Sequence, residues 1–149
     1  MDYKIKYIDL LYSVYSSLKQ EFDKAKIAIK ENRTEVKQPL FFIQINALES
    51  DSFRSYTKEL VNITITYTQP VLEQQDILNI KDSLNELFDD GLRVEKTFIY
   101  FDKKKFYDGD GFVNLTLTLR YHNSKLSKNL PDSDRYTQML EELHLKINE

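Results

Sequence analysis

The chain has 149 residues, no Cys, no Trp, two His, three Gly and a formal net charge of −3. One domain with an arm fits this length, and the composition excludes disulfides, thiolate chemistry and a glycine-rich phosphate cradle, with little left for zinc. The acidic balance advertises no polyanionic partner, and without an 18-residue apolar run or a basic-then-apolar start the chain is expected neither to span a membrane nor to be secreted.

In chain order, Tyr3 to about Phe22 predicts an amphipathic helix, because Ile5, Ile8, Leu11, Tyr12, Tyr15, Leu18 and Phe22 recur at steps of three and four. Lys26–Lys30 alternates and predicts a short strand. Pro39 lacks an N–H and suits the start or edge of the next strand, Leu40–Leu48. Its faces, Phe41/Ile43/Ile45/Ala47 and Leu40/Phe42/Gln44/Asn46, predict a central strand covered on both sides near its start. Glu49–Ser55 reads as a polar loop carrying Phe53. Tyr56–Thr68 is rich in β-branched residues and alternates Val61, Ile63, Ile65 and Tyr67 against Asn62, Thr64, Thr66 and Thr68. One of those faces is core; the other is wet or covered by a partner.

Glu73–Asp89 predicts a second helix with the stripe Ile77, Ile80, Leu84, Leu87 and Phe88, acids in its first turn and Gly91 as its stop. Leu92–Asp102 and Phe112–His122 predict two more strands, linked by Lys103–Gly111 with the turn signal Asp108-Gly109-Asp110-Gly111. They are long enough to form an arm beyond the sheet. Asn123–Asp132 reads as a linker. A last helix to about Asn148, capped by Asp132, Ser133 or Asp134, carries Tyr136, Met139, Leu140, Leu143 and Ile147 on a stripe that needs cover. The expected fold class is α+β: a mixed, mostly antiparallel sheet with helices on one face, a protruding β-hairpin and an extra C-terminal helix. The expected division is a domain over 1–122 and an extension over 123–149.

Catalytic and metal patterns are weak. Asp108 and Asp110 resemble a calcium loop, but placing Gly111 at its invariant glycine puts Phe106 and Leu117 at ligand positions. His122 and His144 are far apart in sequence and read as surface or interface histidines, and no small-residue elbow surrounds a Ser. The pairs Asp89-Asp90 and Glu141-Glu142 diverge by about 100° on a helix and share no site. Lys103, Lys104 and Lys105, followed by Phe106 and Tyr107, form the one basic cluster. A solubilising tip or a protein contact explains it better than nucleic-acid readout. Ten Tyr suit half-buried contacts; Tyr12 and Tyr15 fall on the core stripe, while Tyr56, Tyr100, Tyr107 and Tyr136 fit an interface.

The order of pieces carries a resemblance. A helix precedes the Pro-Leu-Phe-Phe-Ile-Gln strand at Pro39–Gln44, and a loop with Arg54 leads into Val61–Tyr67. A helix with Leu84, Leu87 and Phe88 then precedes the Asp-Gly-Asp-Gly hairpin and the Leu115–Tyr121 strand. From Ile8 to His122 this resembles the tail terminator family of prophages and phage-tail-like bacteriocins of Gram-positive bacteria. The resemblance implies a structural protein of the virion tail or tail-like particle, with no reaction and no cofactor. Its implied form is a six-membered ring that caps the tail tube, stops polymerisation and meets the sheath or the head connector. The implied partners are copies of itself, the tube protein and one of those neighbours, with no membrane and no sequence-specific nucleic acid, although DNA can pass through such a ring. A head–tail connector or other tail-completion protein, and a non-virion adaptor domain that binds a protein partner, are the alternatives. The candidate contact residues are Phe53, Arg54, Tyr56, Lys103, Lys104, Lys105, Phe106, Tyr107, Tyr136, Met139, Leu140, Leu143 and Ile147.

Overall fold

The computed structural model describes residues 4–29 and 38–125. The expected C-terminal helix, with Tyr136, Met139, Leu140, Leu143 and Ile147, lies outside the described residues.

Helix α1 spans Tyr7–Glu21 and strand β1 spans Lys26–Ala28. Strands β2, Leu40–Ser52, and β3, Tyr56–Thr68, follow, and then helix α2, Gln74–Leu87. Strands β4, Gly91–Val94, β5, Thr97–Gly109, and β6, Phe112–Ser124, complete the order among the described residues. The six strands form one sheet in the order β1-β2-β3-β6-β5-β4. Only β1 and β2 pair in parallel. This is the α+β architecture expected of the sequence.

Period-two alternation decides which face is dry. Val61, Ile63 and Ile65 of β3 and Val113, Leu115, Leu117 and Leu119 of β6 are fully buried. Phe41 and Ile43 of β2, Ile99 of β5 and Leu92 and Val94 of β4 extend the same core. Leu10, Leu11, Val14 and Leu18 of α1 and Leu84 of α2, with Phe88 just beyond it, cover it. Each such side chain is worth about 1.5–3 kcal/mol when fully buried. The opposite face carries the polar ladder of Asn62 with Thr118 and Thr66 with Asn114, bonded at 2.9 and 2.6 Å.

Both helices start alike. Asp9 accepts the Lys6 N–H at 2.8 Å, and Asp76 accepts the Glu73 N–H at 3.0 Å. Each acid satisfies an amide that the helix cannot, and faces the positive end of the helix dipole. At its other end α2 has no basic residue in the last turn. Lys104 of β5 supplies one, donating to Asn85 Oδ1 at 2.7 Å and to the Phe88 carbonyl at 3.0 Å.

Several expectations are corrected. Helix α1 carries two apolar stripes, and the aliphatic one with Leu10 and Val14 goes inward. Tyr12, expected in the core, is 58% exposed and Ile8 is 45% exposed. Glu49–Ser52, read as loop, continues β2 past a bulge between Ala47 and Glu49. Leu92–Asp102, read as one strand, folds back on itself at Glu95 and Lys96. Glu95 has a φ of 54°, a conformation unusual for a residue with a Cβ. Lys103–Gly109, read as link, is strand; the turn is Asp110-Gly111, with Gly111 at φ 80°. That turn does not project. Phe112 pairs with Thr68, and Thr68 with Leu40, so the hairpin ends level with its neighbours. Gly91 opens β4 instead of stopping α2, which ends at Leu87. A Cβ on Gly91 would lie 2.2 Å from the Ile99 carbonyl oxygen, so close strand approach explains that glycine.

Candidate assembly surface

The candidate contact residues fall into separate places. Phe53, Arg54 and Tyr56 sit at the β2–β3 turn. Phe53 stacks on Tyr56 with ring centroids 4.8 Å apart and planes at 14°. Tyr56 in turn meets His122 at 5.2 Å, and Lys58 Nζ lies 5.5 Å from the centre of the Phe53 ring. Arg54 is exposed beside them. The result is an aromatic and cationic knob, closed at its base by Phe53 N–H donating to the Tyr56 carbonyl at 2.8 Å. Lys125 reaches the same turn, donating to the Ser52 hydroxyl.

Lys103, Lys104, Lys105, Phe106 and Tyr107 do not share one surface. They alternate along β5, pairing in turn with Thr118, Leu117, Thr116, Leu115 and Asn114. Lys103, Lys105 and Tyr107 therefore lie with the polar ladder, on the open face. Lys104 and Phe106 lie on the core face, where Lys104 holds the end of α2 and Phe106 packs half-buried against the core. Tyr107 is 62% exposed, with its ring 5.9 Å from Phe112.

A second cluster lies under the chain entering α1. Glu59, 5% exposed, accepts hydrogen bonds from the Tyr7 hydroxyl at 2.5 Å and the Ser50 hydroxyl at 2.6 Å. Burial pushes its carboxyl up, but the Ser50 and Tyr7 bonds and the Lys4 charge outweigh that and hold it below the usual carboxylate range. The bond to Glu59 raises the Tyr7 hydroxyl correspondingly. Burial raises the neighbouring Tyr121 hydroxyl, which has no partner among the described residues. Asn123 completes the clasp, accepting the Ile5 N–H at 3.0 Å and donating to the Ile5 carbonyl at 2.9 Å.

Sequence reasoning missed Glu59 and Asn123, yet a signal was present. Glu59 continues the parity of Val61, Ile63 and Ile65; Asn123 continues that of Leu117, Leu119 and Tyr121. A polar residue on a buried parity needs a partner, and the strap Lys4–Tyr7 supplies one for each.

Among the described residues no group of three or more His, Asp or Glu is placed to hold a metal ion, and no helix is long and apolar enough to cross a membrane. Among the described residues, both sheet edges lack a strand partner over much of their length. Strand β1 covers only Leu40–Phe42 of β2, and β4 covers only Thr97–Tyr100 of β5. A domain with one packed face, one polar face and two strand edges unpaired among the described residues has the build of a subunit in a larger assembly. The sequence model of the phage tail terminator protein family matches residues 9–132, and the chain belongs to that family. It is a structural tail-completion protein that interacts with other tail proteins. The curated proteins include no match to the chain.

Proposed function

We propose that the protein closes the growing end of a tail tube as a ring of about six copies, stops tube polymerisation there, and offers its far surface to the sheath or to a head connector. The family match over residues 9–132 carries this reading. The fold supports it in kind: a closed ring needs two different patches on each subunit, one meeting the other on the next copy, and among the described residues the sheet has two dissimilar edges without a strand partner over much of their length. The stacked Phe53–Tyr56 knob and Tyr107 are rigid aromatic surfaces of the kind that anchor protein contacts. Contact of the knob with the tube, the neighbour or the sheath is part of the proposal, as is a contact role for the C-terminal stripe.

The mass of the protein in solution, measured alone and with tube protein, tests the ring. The expected species is a closed assembly of about six subunits, formed freely or on tube ends. A dimer that persists under all conditions contradicts it.

A further inference from the structure

We propose that neighbouring copies of this chain join by sheet extension, the outer edge of β5 at Lys103–Lys105 pairing antiparallel with the outer edge of β2 at Glu49–Asp51. This rests on the self-assembly reading above and names the surface through which it occurs.

Three observations carry it. The first is exposed backbone. No described strand pairs with β2 beyond Phe42 on its outer side, and on the outer side of β5 the described backbone pairing ends at Phe101, whose N–H donates to the Asp90 carbonyl at 2.9 Å. Unpaired N–H and C=O rows of this length are templates for another strand unless something blunts them. The second is direction. Antiparallel pairing of β2 with β3, β3 with β6 and β6 with β5 leaves β2 and β5 running in opposite senses. A neighbour's β2 set beside β5 therefore continues the same antiparallel sheet.

The third is charge, and it selects the pairing. Lys103 and Lys105 lie on the open face with Thr118 and Thr116. Glu49 and Asp51 pair with Leu60 and Lys58, opposite in parity to buried Glu59, and so lie on that same open face. All four side chains are exposed, and none is in an ion pair among the described residues. In an antiparallel register with Lys103 opposite Asp51, Lys105 falls opposite Glu49. Two β5 edges would place lysine against lysine, and two β2 edges would place acid against acid; both are disfavoured. Edge lysines alone blunt a sheet, but facing an acidic edge they choose a partner. The attractive contact is heterologous, which is the kind that builds rings or filaments instead of isolated dimers.

The register also implies a stagger. Asp51 stands level with Lys58 and His122, whereas Lys103 stands level with Thr118. Bringing Asp51 to Lys103 displaces the neighbour by four residues along the strands, from position 118 to 122, or about 13 Å. Strands joined with such an offset run inclined to the axis of the closed assembly. In this register Ser52 falls opposite Asp102 of the adjacent copy and Phe53 opposite Phe101, whose N–H donates to the Asp90 carbonyl at 2.9 Å, so the Phe53–Tyr56 knob meets the neighbour where the Asp90 segment leaves β5.

Charge exchange in the full chain tests it, read by sedimentation equilibrium in physiological salt, with circular dichroism as the check on folding. Lys103→Glu with Lys105→Glu is expected to weaken self-association about tenfold or more, as is Glu49→Lys with Asp51→Lys. The fourfold variant carrying both exchanges is expected to recover it. Undiminished association in either double variant overturns the proposal. So does weakening in both without recovery in the fourfold variant, because the two pairs then do not face each other. Association abolished by removing residues 126–149 but untouched by the exchanges would assign the contact to the C-terminal segment and also overturn it. A wild-type chain that stays monomeric, alone and with tube protein, removes the ring reading itself, a result distinct from these.

Discussion

At the scale of single residues, Glu59 is the most consequential polar group in the described part of the molecule. It is buried and ionised, and its two oxygens accept hydroxyl bonds from Tyr7 and Ser50. Its carboxyl sits below the ordinary range, so the folded state holds its proton less tightly than the unfolded chain does. The stability it contributes is present above the unfolded value and is lost as pH falls through the folded one. Glu59→Gln is expected to cost about 1–3 kcal/mol at neutral pH, the cost of weakened hydrogen bonds to a buried charge. That difference from wild type should shrink as the pH drops through the carboxylate range. Urea unfolding of both proteins at several pH values checks it; a pH-independent difference would show that shape, not charge, holds the clasp.

At the scale of elements, alternation on β5 separates two neighbours that the sequence presents as one aromatic patch. Phe106→Asp places a charge against the core and is expected to destabilise the fold by several kcal/mol. Tyr107→Asp changes an exposed ring and should leave the unfolding midpoint close to that of wild type while weakening assembly. Thermal unfolding beside a mass measurement distinguishes the two, and equal destabilisation by both would contradict the alternation described here. The same strand shows where sequence reading succeeds and fails. Tyr56–Thr68 is legible to the residue because its β-branched alternation is long and its bounds are set by Pro70 and by the polar stretch ahead of it. The reversal between β4 and β5 is not, because Glu95 and Lys96 carry no turn chemistry and Glu95 accepts a positive φ that only tertiary pairing imposes. Helix α1 was legible as a helix but not in its facing, since tyrosine and leucine stripes compete and only packing decides between them. Lys104 reads as part of a basic run; its use, closing the end of α2 through the carbonyl of the capping residue Phe88, depends on a contact 16 residues away.

At the scale of the whole molecule, the described chain is an asymmetric sheet. One face is sealed by two helices, the other carries a threonine and asparagine ladder, and the two edges differ in charge. The aliphatic core and the Glu59 clasp lie inside it, and the proposed contacts with other subunits use its edges and its aromatic knob. Membership of the phage tail terminator family gives those surfaces a setting at the end of a tail. On the function proposed above, this chain sets where a tail stops. The length distribution of tails made after deletion of its gene, measured by electron microscopy, tests that directly. Overlong tails without a finished end, restored to normal length by the wild-type gene supplied separately, are the predicted result; tails of normal length, closed and joined as before, would contradict it.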